Sequence, residues 1–165
     1  MIEVPRGRVR RFYLSGGIAH DPDANVWRKE LIAALPMYEF WNPLEREREV
    51  VTGDDLARKF RQWRYEADAG GKLGLKQLRK VMLKSIIPLD LEGVEWADAI
   101  ICRVKRGVRM YGSICEIYDA KMIQIKPVYL ITDLKYAEMN AWEIALADEI
   151  WFSMEEAIEE LGAIG

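Results

Sequence analysis

Several absences narrow this chain before any motif is considered. No apolar run approaches the roughly 20 residues of a membrane-spanning helix, and no apolar stretch of signal-peptide length follows the basic start "MIEVPRGRVRR". The expectation is a cytoplasmic protein with no membrane role. Cysteine is scarce: Cys102 and Cys115 are the two present, each inside an apolar pattern and without Cys-x-x-Cys spacing. They read as buried, reduced thiols. Histidine is scarcer still, with His20 alone in a loop beside Asp21 and Asp23, so no Cys/His cluster has zinc spacing. Neither Gly-x-Gly-x-x-Gly nor Gly-Lys-Ser/Thr occurs, which removes the dinucleotide fingerprint and the P-loop. Without Gly-x-Ser-x-Gly, a serine-hydrolase elbow has no support. Internal repeats and low-complexity segments are also missing. A net charge of −3 gives no general attraction to nucleic acid or anionic lipid.

What is present alternates between short apolar strands and helical patterns. "RFYLSGGIA" (11–19) reads as a strand ending in two glycines, followed by a helix within 21–35 carrying Val26, Trp27, Glu30, Leu31 and Leu35. "YEFWNPL" (38–44) reads as a second strand and an Asn-Pro turn. Residues 45–72 are charged with mixed signs, and Leu56, Phe60 and Trp63 mark a helix that Asp54 or Asp55 caps and Gly70-Gly71 ends. This segment reads as a helical insertion. A basic amphipathic helix from Leu73, a break at Pro88 with a short acidic turn, and the strand "AIICRV" come next. The rest is helix (110–124), strand (126–132), helix (134–147), strand (148–153) and helix (154–162), the last with a Ser153/Glu156 capping box. The order predicts one domain over 1–165, a central parallel five-stranded α/β sheet covered on both faces. Ligands in such sheets bind at the carboxyl ends of the strands, here in "SGGIAHD", "NPLERE", "RVKRGVRMYGS" and "ITDLKYAEMN".

Two carboxylates stand out near those ends. Asp90 precedes the third strand, and Glu116 falls near the start of the helix after it, among Ile114, Ile117 and Tyr118. Two carboxylates facing one cleft can divide roles, one charged and one holding a proton. A carboxylate can also serve as nucleophile in glycosyl transfer. The bland alternative is a first-turn acid that gains only about 0.3–1 kcal/mol from the helix dipole. On local physics both readings stand. The tryptophans mostly occupy apolar periodic positions, which predicts packing roles. "RKFRQWR" and "KQLRKVMLK" raise a nucleic-acid surface, but mixed-charge amphipathic helices in an acidic chain argue against one.

The residues together resemble the nucleoside 2-deoxyribosyltransferase-like family, which includes nucleoside 5′-monophosphate N-glycosidases. The resemblance runs in order through "YLSGG", the Asn42-Pro43 pair, Asp90 eight residues before Asp98 in "DLEGVEWAD", Gly112 four residues before Glu116, "KPVYLIT" and "ADEIWFSMEEAIEEL". It implies a flavodoxin-like (Rossmann-like) three-layer fold. The implied activity is N-glycosidic bond transfer or cleavage on a nucleoside or nucleoside 5′-monophosphate. Glu116 would be the nucleophile, Asp90 would handle the proton of the base, and Tyr13 would orient Glu116. Gly16, Gly17, Gly112 and Ser113 would approach the sugar or phosphate closely, with His20, Asn42 and Arg109 as further substrate contacts. Arg103, Lys105, Arg106 and Arg109 offer charge for a 5′-phosphate. The implied partners are nucleoside or nucleotide, free base and further copies of the chain; no cofactor or metal is expected. Transfer or hydrolysis, and nucleoside or monophosphate, stay open. A non-catalytic nucleotide-binding module on the same fold is the alternative.

Overall fold

The computed structural model describes residues 9–17, 21, 23–50 and 56–164. His20 and the predicted caps Asp54 and Asp55 lie outside these. The elements in chain order are β1 (Arg11–Gly16), α1 (Val26–Ala34), β2 (Glu39–Trp41), α2 (Pro43–Val50), α3 (Leu56–Asp68), α4 (Lys72–Val81), α5 (Ile87–Trp96), β3 (Ala99–Val104), α6 (Tyr111–Tyr118), β4 (Val128–Thr132), α7 (Ala141–Leu146), β5 (Glu149–Trp151) and α8 (Met154–Ile164). Two compact units result: residues up to Asn42 with Gly93 onward, and Pro43–Glu92 between them. The predicted insertion at 45–72 falls in the second unit, which extends 20 residues beyond it. No helix among the described residues is long and apolar enough to cross a membrane.

The first unit holds the sheet. Its five strands are all parallel in the order β2-β1-β3-β4-β5. Period-2 alternation distributes the core to both faces. Phe12 and Leu14 of β1, Ile101 of β3 and Ile131 of β4 face Trp27, Leu31, Ala157 and Leu161 of α1 and α8. Tyr13 of β1, Ile100 and Cys102 of β3 and Leu130 of β4 face Val94, Ile117 and Leu146 of α5, α6 and α7. This is the parallel sheet covered on both faces that the alternation predicts, in the three-layer, flavodoxin-like form that the resemblance implies.

Two Ala-Asp pairs fix the strand starts in the same way. The Asp98 N–H donates to the Arg11 carbonyl, and the Asp98 carboxylate accepts from the Arg10 and Arg11 N–H groups and the Arg11 guanidinium. Asp148 repeats the pattern between β5 and β4: its N–H donates to the Val128 carbonyl and its carboxylate accepts from the Val128 N–H at 2.9 Å. Burial works against the charge on Asp98, but its bonds to Arg11 and the two N–H groups prevail and hold its carboxyl below the ordinary value. Each aspartate thus satisfies the orphan N–H at the start of a neighbouring strand and sets its register.

Several local expectations are corrected. Asn42-Pro43 opens α2 instead of a turn, because proline suits a helix's first position, where no N–H is needed. Pro88 does not break the helix before β3. A π turn over Met82–Ile86 separates α4 from α5, and Pro88 sits in the first turn after it, so the chain is helical through the predicted acidic turn. The predicted helix 134–147 is a short 3₁₀ turn (Tyr136–Glu138) and then α7, which Asn140 starts with a capping box to Glu143. In the Ser153/Glu156 pair, the Glu156 N–H donates to Ser153 Oγ as expected, while the Glu156 carboxylate takes the Phe152 N–H. In α1 the inward side carries Arg28, and Glu30 is exposed. Cys115 is exposed on the outer face of α6, and Trp142 is 61% exposed, unlike the buried positions their patterns predict.

Candidate active site

In a 2-1-3-4-5 sheet the strand order reverses between β1 and β3, and the crevice at their carboxyl ends is the default ligand site. Glu116 reaches that crevice. It is the sixth residue of α6, in the second turn, so it is not a first-turn acid drawing on the helix dipole. It shares the inward side of α6 with Ser113, Ile117 and the following Ala120, at helical spacing, and its carboxyl group is turned onto β1.

Two hydroxyls of β1 meet it. Tyr13 Oη donates to Glu116 Oε1 at 3.0 Å, and Ser15 Oγ donates to Oε2 at 2.5 Å. Tyr13 and Ser15 are two apart on one strand and so share a face. Both are 1% exposed or less. Ser15 is paired in register with Cys102 of β3. The carboxylate therefore meets a phenol and a hydroxyl, with the Cys102 thiol on the strand beside Ser15. Burial raises the Glu116 carboxyl above the ordinary value, against the Ser15 and Tyr13 hydrogen bonds and the more distant Arg28 charge. Hydrogen bonds to a charge return about 1.5–3 kcal/mol each, whereas desolvating a carboxylate costs several. Burial, with the Glu116 charge nearby, also pushes the Cys102 thiol up to about 12, in keeping with a structural thiol.

Arg28 organises the end of β1 from the opposite side of the sheet. It is fully buried, lies over the Trp27 ring at 4.6 Å, and donates to the carbonyls of Leu14 and Gly16 at 3.2 Å and to that of Ala24. Gly16 has φ +153°, and a side chain there would meet Trp27 and the Arg103 carbonyl. At Gly17 an added Cβ would fall 2.1 Å from Val108 Cγ1. The double glycine therefore serves close packing of the loop after β3 across the end of β1. Gly112 faces open space and Ser113 is buried beneath it. Asn42 is buried and donates to Asn25 Oδ1 at 3.0 Å.

The basic loop after β3 is substantially paired. Lys105 Nζ lies 3.0 Å from Asp21 and 2.8 Å from Asp23, and Arg106 lies 2.7 Å from Glu138. Arg109 is exposed and Arg103 half-buried. A cavity of about 260 Å³ opens beside this loop, lined in part by Lys105, Val108, Met110, Asn140 and Glu143; neither Glu116 nor Tyr13 lines it. Asp90 lies in the second unit, half-buried in the first turn of α5. Among the described residues no group of three or more His, Cys, Asp or Glu side chains is placed to hold a metal ion.

Of the residues singled out in the sequence, the structure joins Tyr13 to Glu116 directly. Ser15 and Arg28 were missed as site residues. The signal for Ser15 was the strand alternation itself, two positions from Tyr13. For Arg28 no pattern was available, since a cation on the inward side of a helix contradicts the usual reading.

An open five-stranded parallel sheet with helices on both faces, a glycine-rich first strand end and a half-buried carboxylate at the reversal point make this a flavodoxin-like α/β protein. Among solved structures it is similar to a 2-deoxyribosyltransferase from the psychrotolerant bacterium Bacillus psychrosaccharolyticus. The TM-score is 0.60 over 90% of each chain at 14% sequence identity, so the likeness is one of fold. No protein-family model and no curated protein matches the chain.

Proposed function

We propose that the protein transfers or cleaves the N-glycosidic bond of a nucleoside, with Glu116 as the nucleophile. The observation that carries this reading is the Glu116 carboxylate held against Tyr13 at the β1/β3 strand ends. The solved enzyme of similar fold is described as a biocatalyst for nucleoside synthesis, which supports the substrate class. In the proposed reaction a Glu116 oxygen bonds to the anomeric carbon as the bond to the base nitrogen breaks. The electron pair leaves with the base, which takes up a proton as it departs. A second base, or water, then takes the sugar from the glutamyl ester. Tyr13 restrains the carboxylate so that it enters the reaction aligned. Ser113 and the open face at Gly112 provide room and polarity beside the sugar. Two of the loop's cations, Lys105 and Arg106, already have carboxylate partners, which favours a nucleoside over its 5′-monophosphate.

The test is a panel of nucleosides, nucleoside monophosphates and free bases, with products followed chromatographically. Turnover should fall by at least about a thousandfold in Glu116→Ala, as expected when a nucleophile is removed. Full activity in that variant would refute the mechanism.

A further inference from the structure

Ser15 is the shortest contact of Glu116 and has no part in the reaction just described. Its Oγ lies 2.5 Å from Oε2, in the range of a charge-assisted O–H···O⁻ bond, while the phenol of Tyr13 stands 3.0 Å from Oε1. The two oxygens of one carboxylate are therefore held unequally. Ser15 is on the central strand pair, in register with Cys102, and is 1% exposed, so its hydroxyl has little freedom to follow a moving partner. Tyr13 reaches from one turn of the pleat earlier on the same face.

We infer that Ser15 is a positioning residue that anchors Glu116 through Oε2 and leaves Oε1 as the oxygen that attacks. The inference rests on the nucleophile reading of Glu116. When Oε1 bonds to the anomeric carbon and the electron pair of the C–N bond departs with the base, Oε1 becomes the ester oxygen and Oε2 the ester carbonyl. A carbonyl oxygen still accepts the Ser15 hydrogen bond, whereas an ester oxygen is a poor acceptor. The Ser15 bond therefore persists through the reaction and the Tyr13 bond does not need to. The short bond also opposes protonation of a carboxylate that burial would otherwise neutralise.

Ser15→Ala and Ser15→Thr test this. The alanine variant should lower kcat about 10- to 100-fold with KM within about threefold, the loss typical of one hydrogen bond to a charged group. Its acidic limb should move to higher pH, and the plateau above that limb should stay depressed, because orientation is lost as well as ionisation. Threonine, which keeps the hydroxyl, should recover the position of the limb. A residue that only packs would lower thermal stability and leave the limb where it is. An active alanine variant with unchanged limb and plateau overturns the inference and leaves the nucleophile reading intact. An infrared titration of the Glu116 carboxyl in wild type and Ser15→Ala, identified by its loss in Glu116→Gln, needs no turnover. If wild type turns over nothing, an upward shift in the alanine variant retains the Ser15 anchor and removes the glycosyl-transfer reading. No shift overturns the anchor as well.

Discussion

A carboxylate in the position of Glu116 costs the fold something. Burial raises its carboxyl above the ordinary value, so between the unfolded and folded values the native state holds a proton that the unfolded chain has lost. Stability therefore falls as pH rises through that window. Glu116→Gln removes the charge and keeps the shape. It should raise stability at pH 7 by about 0.5–2 kcal/mol while abolishing turnover, the usual exchange at a strained site. The gain should disappear under acid conditions in which wild-type Glu116 is protonated; equal gains at pH 4 and pH 7, measured by thermal unfolding, would contradict this. At this scale the sequence was only partly legible. Glu116 stood out by its place near a strand end, but Tyr13 was tied to it only through a family resemblance across 103 residues, which no local pattern does. Ser15 stood in the quoted motif but carried no chemistry until its partner was known. Glu116 itself was misread as a first-turn acid, because Met110 precedes the helix and gives no capping signal.

Among the elements, α5 shows how one small residue sets an approach distance. An added Cβ at Gly93 would meet Trp41 Nε1 at 2.6 Å and Tyr13 Cδ2 at 2.7 Å. These are ring atoms in a packed layer and cannot move aside freely. In an exposed helix Gly→Ala stabilises, by about 1 kcal/mol. Here overpacking reverses the sign, and Gly93→Ala should cost about 1–3 kcal/mol in denaturant unfolding. It should also displace the Tyr13 ring, so turnover should fall although Gly93 contacts no reacting atom. A neutral or stabilised variant would show that the layer yields. The strands were legible because each is a short run of β-formers bounded by turn residues. The helix interiors were legible by periodicity. What failed was punctuation: Pro88 reads as a break until a π turn supplies it with a fresh first turn, and the run 134–147 reads as one helix until Asn140 caps its second half. Both depend on hydrogen bonds to backbone groups, which composition does not reveal.

The whole molecule is a sheet unit interrupted by a helical one. The alternation of strands and helices predicts the parallel sheet and its two covered faces, and composition marks residues 45–72 as different from their surroundings. The compact second unit reaches from Pro43 to Glu92, because α4, which begins just after Gly71, packs on α3. Its mixed charge reads as a solvated surface and gives no sign of where the unit ends. The chain leaves the sheet unit at Asn42 and re-enters it at Gly93, and Trp41 and Gly93 are neighbours within that unit.

The clamp between Arg11 and Asp98 has a kinetic consequence. The two residues lie 87 apart in the chain, and the whole helical excursion must be looped out before β1 can pair with β3. The pairings β3–β4 and β4–β5 close much shorter loops. Contact order then argues that β3 to β5 and their helices assemble early and that docking of β1 is the slow step. Replacing residues 43–92 with a short Gly/Ser linker more than halves that loop. Loop closure falls by only about 0.6–0.8 kcal/mol, so stopped-flow refolding should accelerate about threefold and no more. An unchanged rate would place the barrier before β1 arrives.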